Sequence, residues 1–342
     1  MSRQTAIRLQ QPGTLSTVID ELPEPGIGEA RLRIRRIGVC GTDIHAFHGR
    51  QPFFEYPRIL GHELAAEVIE VNGDSPWKSG DLVAVKPYLN DPASPASQKG
   101  KTNCCEALQV LGVHCDGGMR AKLNVPAKKL HRSSGATADQ LALVEMLGIG
   151  CHAVNRSSAG PNDRTLLLGA GPIGLSVLSF LKPVAKSVVV ADLDETRLAF
   201  CREAFGVEET VLLPPAETAS EMLSRYFGDS LPDVIFDATG NSKSMHSTFE
   251  LIAHGGRILF VGLFQGDMTF SDPLFHRKEI TLLASRNATS AEFTQVISAM
   301  ESGTIDTSPW ITHRFALGDA PERFPATIAE RGLRKAVIEV DD

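Results

Sequence analysis

Thr165-Leu-Leu-Leu-Gly-Ala-Gly-Pro-Ile-Gly174 is the stretch that decides how this chain folds. Thr165 to Leu168 is a short apolar run of the kind a buried strand needs, the glycines break it into a turn, and Ile173 to Ala185 reads as a helix. Strand, glycine turn and helix in that order build the phosphate-binding corner of a dinucleotide fold. Gly169 permits the tight turn, Gly171 lets backbone approach a pyrophosphate, and Gly174 lets the helix pack on the sheet. Pro172 and Ile173 stand at the helix N-terminus, whose unsatisfied N–H groups and positive dipole end suit phosphates. A second strand follows at Val188 to Ala191, and Asp192 ends it, 18 residues beyond Gly174, where a carboxylate can accept both ribose hydroxyls. That carboxylate repels a 2′-phosphate, and Asp194 and Glu195 add negative charge, so NAD is expected over NADP; Arg197 is the one nearby counterweight.

Working outward, Asp194 to Phe205 is helical in pattern, and apolar strands recur at Val234 to Asp237, Ile258 to Val261 and Thr281 to Ala284. Strands alternating with helices imply a doubly wound parallel sheet of the Rossmann kind, an α/β fold. The N-terminal half has another texture. Arg31-Leu-Arg-Ile-Arg-Arg-Ile-Gly38 alternates charged and apolar side chains with period two, and Ala65 to Val71 and Asp81 to Val85 are further strands between turn signals. This half reads as a β-rich domain. Asn90 to Asn103, rich in turn formers, reads as an exposed loop.

Composition bounds what such a chain does. A length of 342 residues favours two domains, and 42% apolar with 22% charged residues is ordinary globular usage. The net charge of −7 provides no overall basic field for nucleic acid. Six cysteines are too few for a disulfide scaffold of this size. Met1 to Pro12 lacks the apolar core of a signal peptide. Thr165 to Leu181 is uncharged, but its 17 residues carry three glycines and a proline and fall short of the about 20 a membrane helix needs. The sequence therefore reads as a soluble, cytoplasmic protein with reduced thiols.

The β-rich half carries a second chemical signal. Cys40-Gly-Thr-Asp-Ile-His45 and Gly61-His-Glu63 follow strands, so Cys40, His62 and Glu63 can converge as the mixed sulfur, nitrogen and oxygen donors that zinc accepts. Asp43 can orient the His62 ring from behind.

These motifs, with Gly169 to Gly174 and Asp192, match the zinc-dependent medium-chain alcohol dehydrogenases in order and spacing, essentially from end to end. Within that family the chain resembles the sorbitol dehydrogenase branch and its bacterial sugar-acid dehydrogenases. Gln51-Pro-Phe-Phe-Glu-Tyr-Pro57, Gly112-Val-His-Cys-Asp-Gly-Gly118, Asp237-Ala-Thr-Gly-Asn241, His254-Gly-Gly256 and Ser285-Arg-Asn-Ala-Thr289 carry the narrower match. The resemblance implies a GroES-like catalytic domain over residues 1–148 and 286–342, an NAD-binding domain over 149–285, and a site in the cleft between them. It implies zinc ligands at Cys40 and His62, with Glu63 and Glu145 sharing the remaining coordination. Glu145 is followed by Met146 where the branch usually has proline. The family's structural zinc uses four cysteines; the corresponding positions here are Asp91, Ser94, Ser97 and Cys105, so one catalytic zinc per chain and no structural zinc is expected.

The implied reaction is oxidation of a secondary alcohol to a ketone with hydride passing to NAD. The resemblance implies that Thr42 takes the alcohol proton and His45 passes it on through the cofactor ribose; otherwise Thr42 is a turn residue and His45 a solvated surface imidazole. Arg286 and Asn287 resemble a position lining the polyol pocket, and a guanidinium there can clamp a carboxylate. His114 is a second candidate contact, or else a structural turn histidine. The expected small-molecule substrate is an L-hexonate, L-galactonate or L-gulonate, oxidised at carbon 5. Polyol or threonine oxidation is the alternative, and a non-catalytic NAD-binding sensor is the alternative of another class. A homodimer or homotetramer, with the sheet extended across the last cofactor-domain strands, is also implied.

Overall fold

The structure, a computed structural model, describes residues 2–52, 54–213, 225–227 and 230–340; Phe53 of the quoted Gln51 to Pro57 stretch lies outside them. The chain divides into two compact units, Met1–Met146 with Ala288–Asp342, and Leu147–Asn287.

The second unit is a parallel sheet in the order Glu209–Leu212, Ser187–Asp192, Arg164–Leu168, Val234–Asp237, Arg257–Phe260, Thr281–Ala284. The chain starts in the middle with Arg164–Leu168, winds outward one way, then returns to wind the other way from Val234–Asp237. That reversal opens a crevice at the carboxyl ends of the two central strands, the usual ligand position of doubly wound sheets. Leu166, Leu168, Val189, Ala191, Ile235 and Ile258 form its buried core. The helix after Arg164–Leu168 runs Pro172–Leu181 and ends four residues before its apolar pattern does. Pro183 explains the stop, since it lacks an N–H and restricts the residue before it. The next helix, Glu195–Phe205, is capped by the Asp194 carboxylate, which accepts the Thr196 amide at 2.8 Å, and ends at Gly206 in the left-handed region.

The first unit is built on a mostly antiparallel sheet in the order Leu130–Arg132, Leu82–Val85, Glu63–Val71, Glu29–Gly38, Lys335–Glu339, Ile311–Ala316, with Lys122–Pro126 also paired to Glu29–Gly38. The alternation in Glu29–Gly38 buries Leu32, Ile34 and Ile37. A register shift between Ile34 and Arg36 absorbs the consecutive arginines. Both then find acids: Arg35 meets Glu67 at 2.6 Å, and Arg36 meets Asp139 at 2.9 Å. The stretch read as a loop contains a short α-helix, Pro95–Gln98, because the Ser94 hydroxyl caps the Ser97 amide, and a 3-10 turn, Thr102–Cys104, begins at its end.

Phe236 is fully buried in the central strand Val234–Asp237. Its replacement by alanine should destabilise the second unit by about 3–5 kcal/mol, seen as an earlier urea transition; an unmoved midpoint would contradict this packing.

Candidate metal centre and dinucleotide turn

Strand geometry brings the donor residues together. Chain direction changes just after Glu29–Gly38, and Cys40 becomes the residue before the helix Gly41–Phe47. Its amide donates to Asp43 Oδ2 at 2.9 Å, which locks the helix start. Glu63 opens the adjacent strand, directly opposite Gly38, and a Cβ on Gly38 would fall on the Glu63 carboxylate. Glycine at position 38 thus makes room for a carboxylate inside the sheet. The ligand atoms of Cys40, His62 and Glu63 lie within 4.8 Å of one another.

His62, Glu63, Asp43 and Glu145 are all buried. Asp43 Oδ1 stands 3.6 Å from His62 Nδ1, so the other ring nitrogen is the one available to an ion. Burial works to lower the His62 pKa, but Asp43, Cys40 and Glu145 together hold it well above the ordinary value. Burial raises the carboxyls of Asp43 and Glu145 despite the opposing pull of His62. Neither Asp43 Oδ1 nor Glu63 Oε1 has a hydrogen-bond partner.

Two residues that the sequence reading missed complete the cluster. Lys335, from the strand Lys335–Glu339, is buried; its ammonium contacts Glu63 and donates to the Val39 carbonyl at 3.1 Å. Tyr88 donates its phenol proton to Glu145 Oε1. Three carboxylates and a thiol around one histidine face a single ammonium, and buried charge of that sign calls for a cation. The donor set and the orphaned oxygens fit a divalent metal with soft and hard ligands mixed, as zinc accepts.

Thr42 is half-buried and His45 exposed, three positions apart on the helix that Cys40 starts. Partial burial, Arg50 and His48 lower the His45 pKa. His114 accepts the Val110 amide on Nδ1 at 3.0 Å, which is the turn-bracing role. In the lobe, the four positions hydrogen-bond among themselves: Ser94 donates to Ser97 Oγ at 3.2 Å, and Cys105 Sγ accepts the Asp91 amide at 3.3 Å.

In the second unit, Gly169 has φ +92° and starts the turn into Pro172–Leu181. A Cβ on Gly171 would meet only Arg197 Nη1, at 3.9 Å, so its backbone borders open space that a pyrophosphate can approach. Gly174 packs against the Gly169 carbonyl and has no room for a Cβ. Asp192 bridges two turns, accepting the Ala170 amide at 2.6 Å and the Asp194 amide at 2.9 Å. Arg197 lies 3.8 Å from the same carboxylate. Arg286 is exposed just beyond Thr281–Ala284. Asn287 sits in the left-handed region at φ 54°, its Nδ2 buried without a hydrogen-bond partner.

The alcohol dehydrogenase GroES-like domain family matches residues 26–135, and the zinc-binding dehydrogenase family matches residues 172–302. The chain is 42% identical over 340 residues to L-galactonate-5-dehydrogenase of Escherichia coli K12, with 99% of each protein covered. It is 30% identical to 2-dehydro-3-deoxy-L-galactonate 5-dehydrogenase of Pseudoalteromonas atlantica, over 92% of each. It superimposes on an alcohol dehydrogenase of Escherichia coli CFT073 solved with NADH, with TM-score 0.89, 29% identity, and 99% and 100% of the two chains covered.

Lys335→Met leaves the Glu63 carboxylate buried without its ammonium, which should destabilise metal-stripped protein by about 3–5 kcal/mol. Added zinc should restore much of the loss in urea unfolding. Equal destabilisation with and without zinc would separate Glu63 from the metal.

Proposed function

The chain belongs to the zinc-binding alcohol dehydrogenase family, and on that premise we propose that it oxidises an L-hexonate, L-galactonate or L-gulonate, at carbon 5 to the 5-keto acid, with NAD as hydride acceptor. The observation that carries the chemistry is the buried convergence of Cys40, His62 and Glu63. The substrate class rests on the two 5-dehydrogenase relatives and on Arg286.

Cys40, His62 and Glu63 hold one zinc per chain, and the lobe at Asp91, Ser94, Ser97 and Cys105 holds none. Zinc in that set supplies Lewis acidity to the alcohol oxygen. With Cys40, His62 and Glu63 as its protein ligands, a bound zinc would keep a position for the substrate oxygen, as catalytic zinc sites do. Asp43 fixes the His62 ring so that one nitrogen faces the ion. Oxidation removes a hydride and a proton; Thr42 accepts the hydroxyl proton and His45 relays it toward solvent. The lowered pKa keeps His45 neutral, and able to take a proton, at pH 7. Asp192 accepts the ribose hydroxyls of NAD and disfavours a 2′-phosphate, while Gly169, Gly171, Pro172, Ile173 and Gly174 receive the pyrophosphate. Arg286, with Asn287, receives the hexonate carboxylate.

We further propose a homo-oligomer that pairs through Thr281–Ala284, an edge strand with exposed Thr281 and Ala284. No helix among the described residues is long and apolar enough to cross a membrane. A reducing cytoplasm suits six cysteines that are all free thiols.

Initial rates of NAD reduction should be highest with L-galactonate or L-gulonate, and Arg286→Ala should raise the hexonate KM while sparing sorbitol. Preference for sorbitol, xylitol or threonine, with Arg286→Ala harmless, would sink the substrate assignment.

The relay gives a pH signature. A His45 pKa below its ordinary value leaves the relay open at neutral pH and closes it only in acid, so kcat/KM should fall on the acid side of the usual imidazole range. His45→Gln should abolish that limb and slow oxidation by up to about 100-fold. An unchanged pH profile in the variant would remove His45 from the path.

A further inference from the structure

We propose that Tyr88 is a positioning residue for the metal centre: its phenol holds Glu145 apart from the Cys40, His62 and Glu63 donor set, and Lys129 ties that phenol's backbone to the neighbouring lobe, making the lobe a brace for a catalytic-site carboxylate. The proposal rests on the reading that those three residues hold the metal.

Tyr88 is 2% exposed and lies in the two-residue strand Tyr88–Leu89, paired with Gln109–Val110 at the two ends of the lobe. Its hydroxyl donates to Glu145 Oε1, and a phenol donating to a carboxylate is a charge-assisted bond. Such a bond fixes the carboxylate's direction as well as stabilising it. Glu145 is absent from the group of ligand atoms that converge within 4.8 Å.

The backbone that carries the phenol is itself anchored. Lys129 is 3% exposed, and its Nζ donates to the Tyr88 carbonyl at 2.6 Å and to Asn90 Oδ1 at 2.6 Å. Burial, Lys86 and Lys128 bring its pKa down to about 8, which still leaves an ammonium at neutral pH. Asn90 Nδ2 donates onward to Ser97 Oγ at 3.0 Å, and the Ser97 amide donates to Ser94 Oγ at 3.2 Å. Hydrogen bonds therefore link the lobe serines through Asn90 and Lys129 to the Tyr88 backbone, and the Tyr88 side chain carries the connection on to Glu145. Removing the phenol oxygen cuts the last link and changes nothing in the chain trace.

Cobalt(II) substituted into the full chain reports this directly, because its visible bands depend on ligand number and type. With Tyr88→Phe, Glu145 is free to enter the coordination sphere. The cobalt bands should shift and lose intensity severalfold, cobalt release to a chelator should slow, and kcat should fall more than KM changes. Lys129→Met should give the same spectral change together with faster proteolytic cutting within residues 91–101, and Lys129→Arg should restore both. Circular dichroism checks folding, and if Lys129→Met fails to fold, Tyr88→Phe decides alone. A Tyr88→Phe protein with one cobalt, an unchanged spectrum and unchanged release overturns this inference and leaves the metal reading standing. A parent chain that takes up no cobalt overturns both.

Discussion

The rest of the first unit is arranged around a charge problem: Asp43, Glu63 and Glu145 are buried beside Cys40 and His62, with Lys335 the ammonium that reaches them. Buried carboxylates are unfavourable unless paired or coordinated, and mutual repulsion adds to the desolvation. The fold supplies partial answers from separate elements. An amide of the Gly41–Phe47 helix start takes one Asp43 oxygen, a C-terminal strand brings Lys335 to Glu63, and Tyr88 takes Glu145. What remains is a convergent set of oxygen, nitrogen and sulfur donors, and a divalent cation is the group whose binding relieves it most directly. Stability and function are coupled here because Glu63, one of the carboxylates that weigh on folding, belongs to the donor set proposed to take the ion.

Register explains how so many distant residues meet. Gly38 lies opposite Glu63 on one side and Val337 on the other. Just past that pairing the Val39 amide donates to the Ala336 carbonyl at 3.0 Å and Lys335 Nζ donates to the Val39 carbonyl, so the ammonium arrives beside Cys40, where the donor set forms. A side chain at position 38 would occupy the space of the Glu63 carboxylate. One missing Cβ in the middle of a sheet is therefore what allows acid and lysine to meet under the backbone.

The parts of this arrangement that are legible in the sequence are those whose reason is local. The strand, glycine turn and helix at Thr165 to Leu181 announce a doubly wound sheet because turn, close approach and packing each demand glycine within a few residues. Cys40, His62 and Glu63 are visible for a similar reason, each lying at or next to the end of a strand. Lys335 and Tyr88 are invisible to such reading. Their importance comes from register and from a carboxylate dozens or hundreds of residues away, and nothing in Lys335-Ala-Val-Ile-Glu339 distinguishes a buried lysine from one at a solvated strand start. His114 allows two readings in the sequence, ligand contact or turn histidine, and its Nδ1 accepts the Val110 amide, as a turn histidine does. The helix from Pro172 ran past its true end in the apolar pattern because hydrophobicity continues where Pro183 forbids the helix to.

The lobe shows how one feature of a fold can outlast the chemistry that suits it. On the proposal that the lobe holds no zinc, its order rests on hydrogen bonds, each contributing about 0.5–1.5 kcal/mol net. A structural zinc site contributes on the order of 10 kcal/mol or more, so a handful of hydroxyl and amide contacts does not replace it bond for bond. The order of this segment must then come largely from what it is attached to. Lys129 provides that attachment, since a buried ammonium has strong reason to keep its acceptors and grips a lobe side chain and the Tyr88 backbone at once. Hydrogen bonds through Lys129 make the lobe dependent on the unit's interior, and the dependence runs both ways, because the same lysine holds the strand from which Tyr88 reaches Glu145.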